Sequence, residues 1–244
     1  MDDAALAAHL AETAGRILLA VRDCGIFSAK ALGKAGDQTA NAFLVHALRA
    51  ARPDDGLLSE EEKDNAERLS KSRVWIIDPL DGTREYGEAR SDWAVHVALA
   101  VDGVATVGAV ALPGLGVTLS SAAPRPLAPA NAPLQMLVSR TRPAAEAVAV
   151  AKAMGAELLG MGSAGAKAMA VVRGEADIYL HTGGQYEWDN CAPVAVAQAA
   201  GLHVSRVDGS PLCYNCENPY LPDLLICRPE LAQEVLAHVQ ALPA

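Results

Sequence analysis

The sequence predicts an α/β chain in two halves, an α+β half followed by an α/β half, and three observations carry that expectation. Short apolar runs bounded by glycine and proline alternate with stretches of helical periodicity along most of the 244 residues. Asp102-Gly103 falls between two such runs in the first half, which is a strong hairpin signal. The segment 122–133 then carries four prolines among alanines and no periodicity, and reads as a connector. The expected division is residues 1–125 and residues 134–244.

The elements follow in order. Leu6, Leu10, Ala14, Ile17 and Val21 recur at helical spacing and predict a helix over 3–23. A second helix is expected from about Gln38 to Ala51, with Asp37 at its N-cap and Phe43, Leu44 and Leu48 on the buried side. Pro53-Asp54-Asp55-Gly56 makes a turn. Val74 to Ile77 is a continuous apolar run, the mark of a strand buried on both faces. Strands over 93–101 and 104–111 flank the hairpin turn. Beyond the connector come a strand at 135–139, a helix over 143–154 stopped by Gly155, and a strand at 157–161. A helix over 164–173 is stopped by Gly174 and a strand follows at 177–181. A helix opening at Asp189 and closed by Gly201, strands near 202–206 and 223–227, and a helix from Pro229 complete the pattern.

Composition narrows the function. The formal net charge is −9 and no Lys/Arg run is long enough for a nucleic-acid surface. No apolar run approaches the ~20 residues of a membrane span, and Asp2 and Asp3 stand where a signal peptide would be basic. A soluble, cytoplasmic protein without nucleic-acid or membrane partners is expected. Five scattered cysteines argue against a disulfide framework. Cys213 and Cys216 form a lone CxxC with no second pair to complete a zinc site, and read as loop thiols. None of the six histidines is assigned a role, and His96, in mid-strand, reads as structural.

The informative segment is Trp75-Ile76-Ile77-Asp78-Pro79-Leu80-Asp81-Gly82-Thr83. A buried strand ends there and delivers two carboxylates that bracket a stiffening proline. Gly82 lets the backbone turn sharply, and the N–H groups of Gly82 and Thr83 can face an anion. Asp78 and Asp81 can also simply cap a strand-to-helix turn. Carboxylates this close stay ionised only beside a cation, and an all-oxygen ligand set favours magnesium or manganese over zinc. Glu60, Glu61 and Glu62 follow Leu57-Leu58-Ser59 and can be either a solvated first turn or, through Glu60, part of the site. Asp189, after Glu187-Trp188, can cap its helix and still spare one oxygen for a metal.

These motifs resemble the inositol monophosphatase superfamily of metal-dependent phosphatases, with Asp37, Glu60, Asp78, Asp81 and Asp189 matching in order over nearly the whole chain. Within it, Asp81-Gly82-Thr83-Arg84-Glu85-Tyr86, Val138-Ser139-Arg140 and Lys167 resemble the 3'-phosphoadenosine 5'-phosphate phosphatases of the CysQ-like branch, in its actinobacterial type. Tyr86 replaces the usual Phe, and the turn Ser163-Ala164-Gly165-Ala166 and the pair Asn190-Cys191 also depart from the pattern.

The resemblance implies a layered α-β-α-β-α sandwich with the site between the halves. It implies that Glu60, Asp78 and the Leu80 carbonyl hold one Mg2+, and that Asp78, Asp81 and Asp189 hold a second. Glu60 with waters would hold a third, and Mn2+ is an alternative ion. Thr83, with Glu61 or Asp37, would orient a metal-activated water. Gly82, Thr83, Arg140 and Lys167 would contact the substrate. The implied reaction converts 3'-phosphoadenosine 5'-phosphate to AMP and phosphate, a step tied to sulfur metabolism, in a lithium-sensitive homodimer. Fructose 1,6-bisphosphate and inositol phosphate are the alternative substrates, and a non-catalytic magnesium and nucleotide sensor is the alternative of another class.

Overall fold

The computed structural model describes residues 1–242. Helices α1 (Asp3–Asp23) and α2 (Ala29–Ala51) precede a sheet of β1 (Gly56–Ser59), β2 (Arg73–Asp81), β3 (Ala94–Val101), β4 (Val104–Leu112) and β5 (Val117–Ser120), with a short helix α3 (Thr83–Gly87) between β2 and β3. The strands lie in sequence order; β1 pairs with β2 in parallel and the rest are antiparallel. Next come β6 (Gln135–Ser139), α4 (Ala145–Met154), β7 (Glu157–Met161), α5 (Ala164–Val172), β8 (Ile178–His181), β9 (Gln185–Tyr186) and α6 (Glu187–Ala199). The strands β10 (His203–Ser205), β11 (Tyr220–Leu221) and β12 (Leu224–Cys227) and helix α7 (Ala232–Gln240) end the chain's regular structure. The second sheet runs β10-β12-β8-β6-β7, while β9 and β11 pair alone.

Strand alternation builds the layers. Trp75 and Ile77 of β2 join Val95, Val97 and Leu99 against Leu10, Leu18, Leu44 and Leu48 of α1 and α2. Val74 and Ile76 point the other way, with Ala98 and Val110, onto Met169, Val194 and Ala195 of α5 and α6. Those helices also cover Leu137, Tyr179, Leu224 and Ile226 of the second sheet. Its far face, with Met136, Val138, Ile178 and Leu225, packs on Ala147, Val150 and Val235 of α4 and α7. The result is the α-β-α-β-α sandwich. Alanine is abundant because the layers approach closely: a Cβ on Gly108 of β4 would meet the Ala192 carbonyl of α6 at 2.5 Å.

Three expectations need correction. Helix α2 begins at Ala29, with Ser28 in the N-cap position, so Asp37 lies buried in mid-helix rather than at a cap. Gly33 and Gly36 sit inside this helix because α3 crosses it: a Cβ on Gly33 would meet Thr83 Cγ2 at 2.6 Å, and one on Gly36 would meet Tyr86 at 2.9 Å. Helix α6 begins at Glu187, and Asp189 caps it from the first turn, accepting from the Tyr186 N–H at 2.6 Å. Finally, α1 does have the length and composition of a span. Its stripe of Leu6, Leu10, Ala14 and Leu18 is spent on the first sheet.

Candidate active site

Strand β2 breaks its pairing register with β3 between Asp78 and Asp81, which re-aims both carboxylates. Pro79 has no N–H to give, and the Leu80 N–H turns back onto Asp78 Oδ1 at 3.0 Å. Gly82 follows at φ 88° and opens α3. A side chain there would be strained, and its Cβ would meet Ser163 at 3.1 Å and Trp93 at 3.2 Å.

Asp81 is the most heavily held of the acids. It accepts from Ser163 Oγ at 2.6 Å, from the Gly165 N–H at 2.6 Å and from the Ala164 N–H at 3.2 Å. Burial alone would raise its pKa; His96, Ser163 and Gly165 outweigh burial and bring it to about 2. Asp78 is 1% exposed. Burial, then the charges of Glu60, Asp81 and Asp189, push it well above the usual carboxylate range. Asp189 reaches in from α6 and is raised to about 6 by burial and by Asp81. One ligand oxygen from each of Asp78, Asp81 and Asp189 lies within 4.8 Å of the other two.

Glu60 stands outside that triad. Its N–H continues the β1–β2 ladder to the Ile77 carbonyl at 3.4 Å. Its carboxyl, open to solvent on one side, is raised to about 7 by burial and by Asp189. Asp37 comes from α2, with Oδ1 buried and without a hydrogen-bond partner. Burial, then the charges of Glu61 and Glu60, raise it to about 7, and the Thr83 hydroxyl partly offsets them. In the structure that hydroxyl donates its one hydrogen to the Leu80 carbonyl at 3.1 Å.

The two basic residues singled out in the sequence are both engaged by protein groups. Arg140 Nη2 donates to Glu85 at 2.8 Å and to Glu88 at 3.1 Å. Lys167, 5% exposed, donates to the carbonyls of Gly162 at 2.6 Å and Ser163 at 2.7 Å. Burial lowers its pKa to about 8. Lys167 lines a cleft of ≈ 480 Å³ with Arg84, Glu85, Ser139, Thr141, Arg142 and the turn Gly162-Ser163.

One contributor escaped the sequence reading. His96 Nδ1 faces the Trp188 carbonyl at 2.9 Å and must carry a hydrogen there, while Nε2 lies 3.2 Å from Asp81 Oδ2. Gly165 is obligatory beside it, since a Cβ would come within 2.0 Å of Nε2. The available signal was a histidine set in the fully apolar company of Ala94, Val95, Val97 and Ala98. Cys213 and Cys216 are free thiols, as are the other three cysteines.

The acid cluster fits a divalent cation. Its donors are all oxygen, Asp78 is enclosed, and burial with the charges of Glu60, Asp81 and Asp189 raises the Asp78 pKa in a way a bound cation would relieve. Among the described residues it is the only cluster of its kind.

Comparison with known proteins agrees with this chemistry. Residues 9–244 match the model of the inositol monophosphatase family. The chain is 49% identical over 255 residues to a 3'-phosphoadenosine 5'-phosphate phosphatase of Mycobacterium leprae (strain TN), covering 98% of this chain and 94% of that protein. It is 31% identical over 200 residues to the 3'(2'),5'-bisphosphate nucleotidase CysQ of Escherichia coli (strain K12), covering 77% of this chain and 81% of that one. The crystal structure of CysQ from Bacteroides thetaiotaomicron, a bacterial member of the inositol monophosphatase family, shares the fold with a TM-score of 0.80 at 24% identity, over 93% of this chain and 97% of that one.

Proposed function

The chain belongs to the inositol monophosphatase family, and on that premise we propose that it is a metal-dependent phosphomonoesterase converting 3'-phosphoadenosine 5'-phosphate to AMP and phosphate. The observation that carries this reading is the Asp78, Asp81 and Asp189 cluster at the mouth of the Gly82-Thr83 turn. The substrate assignment draws support from the 49% identical mycobacterial relative.

In this account Glu60, Asp78 and the Leu80 carbonyl would hold one Mg2+, Asp78, Asp81 and Asp189 would hold a second, and Glu60 would serve a third. Cations held there would supply neutralisation of phosphate charge, which a chain of net charge −9 would otherwise repel, and acidification of a water. The protein's own groups do the rest. The N–H groups of Gly82 and Thr83, at the first turn of α3, grip phosphate oxygens. Thr83 Oγ1, steadied by the Leu80 carbonyl, orients the water. Asp37, whose buried Oδ1 has no partner, or Glu61 helps Thr83 to orient that water. Lys167 borders the cleft that would take the second phosphate. Arg140 reaches it only by leaving Glu85 and Glu88.

The direct test is phosphate release from 3'-phosphoadenosine 5'-phosphate. The reading requires release in magnesium, its loss in excess chelator and its return when magnesium is restored. Release that persists in chelator overturns it.

A further inference from the structure

The loop 214–216, with Tyr214 buried and Asn215 and Cys216 half-buried, is bonded to elements that carry the site. Glu187, 1% exposed at the start of α6, accepts from the backbone N–H groups of Asn215 at 2.7 Å and Cys216 at 2.8 Å. The Tyr214 hydroxyl donates to Asn190 Oδ1 at 2.9 Å. The loop thus grips α6 on both sides of Asp189. Its other face is held by Arg68, 2% exposed, which donates to Asn215 Oδ1 at 2.8 Å and to the Cys216 carbonyl at 3.0 Å. Asn215 Nδ2 donates back to the Arg68 carbonyl at 3.2 Å.

Arg68 also fixes the segment that carries Glu60. It pairs with both oxygens of Asp64 at 2.8 Å. The near end of the same segment is tied by Ser59 Oγ to Asn41 at 2.8 Å and by Asn41 to Glu62 at 2.9 Å. Asn215 adopts φ 59°, a left-handed backbone that a non-glycine residue rarely takes, and in this position it presents its N–H to one side and its amide to the other. Burying an arginine and a glutamate is costly unless every group is satisfied, and such a network is high-stakes for geometry.

We infer that Arg68, Asn215 and Glu187 are positioning residues that set Glu60, from the first half, against Asp189, from the second, and thereby set the affinity of the site for divalent cations. The inference rests on the metal-dependent reading above. Partners behind metal ligands typically govern affinity by 10- to 100-fold.

The experiment compares the wild-type chain with Asn215→Gly and Glu187→Gln. Glycine takes positive φ freely, so Asn215→Gly removes the amide ties without straining the turn. Magnesium binding is measured by calorimetry, and kcat and KM for the nucleotide are measured at saturating magnesium. The expected result is magnesium affinity about tenfold or more weaker in both variants, with nucleotide KM within about twofold of wild type. Should Glu187→Gln fail to fold, Asn215→Gly decides alone. Variants that melt earlier yet bind magnesium like wild type overturn the inference and leave the phosphatase reading standing. A wild-type chain that binds no magnesium and releases no phosphate overturns both.

Discussion

His96 and Asp81 meet at 3.2 Å, and the same imidazole donates to the carbonyl of Trp188, the residue before Asp189. One side chain of β3 therefore touches both walls of the acid cluster. The ring fills the space that Gly165 leaves open, since a Cβ there would come within 2.0 Å of Nε2.

Gly165→Ala is expected to displace the ring without deleting any polar group. Small misplacements of a site cost on the order of 100-fold in rate, and kcat/KM should fall by that order while the chain still folds. His96→Leu should lose a similar amount. Steady-state kinetics beside a melting curve check this, and near-normal turnover in Gly165→Ala would show that the ring's position is immaterial.

Asp81→Asn preserves shape and removes charge. It also sets an amide against the Gly165 and Ala164 N–H groups and the Ser163 hydroxyl. Turnover should drop at least about 100-fold, the scale seen when a charged group is removed from a preorganised site. Normal turnover would take Asp81 out of the mechanism.

Arg140→Ala tests whether that guanidinium meets substrate. Because Arg140 is committed to Glu85 and Glu88, the substitution should lower kcat/KM for bisphosphate and monophosphate substrates by similar factors. A loss confined to bisphosphates would mean that Arg140 swings into the cleft.

The pH dependence of stability offers a separate check on the Asp64–Arg68 pair. Hydrogen bonding to Arg68 holds the Asp64 carboxyl below its ordinary 3.8. A depressed pKa means stability that is present above pH 3.8 and lost as pH falls through the folded value. The difference in unfolding free energy between wild type and Asp64→Asn should be constant above about pH 5 and shrink below the ordinary value. A difference unchanged down to about pH 2 would show that the pair carries no linkage.

What the sequence made legible follows from range. The run Val74 to Ile77, the turn Asp102-Gly103 and the carboxylates bracketing Pro79 are local patterns, and each lies where the folded chain uses it. The helix expected from about Gln38 in fact starts at Ala29, and Gly33 and Gly36 lie inside it where Thr83 and Tyr86 cross, a contact 50 residues away in the chain. β1 and β5, four residues each, are too short for periodicity to declare. The bond from His96 to Trp188 spans 92 residues, and the grip of Arg68 on Asn215 spans 147. Contacts of that separation exist only once the layers stack.

The central claim is best tested by kcat/KM on three substrates in magnesium: 3'-phosphoadenosine 5'-phosphate, fructose 1,6-bisphosphate and inositol 1-phosphate. The account predicts that the nucleotide is preferred by at least about tenfold, a margin of ~1.4 kcal/mol in transition-state binding. A sugar phosphate preferred by that margin would contradict the assigned substrate.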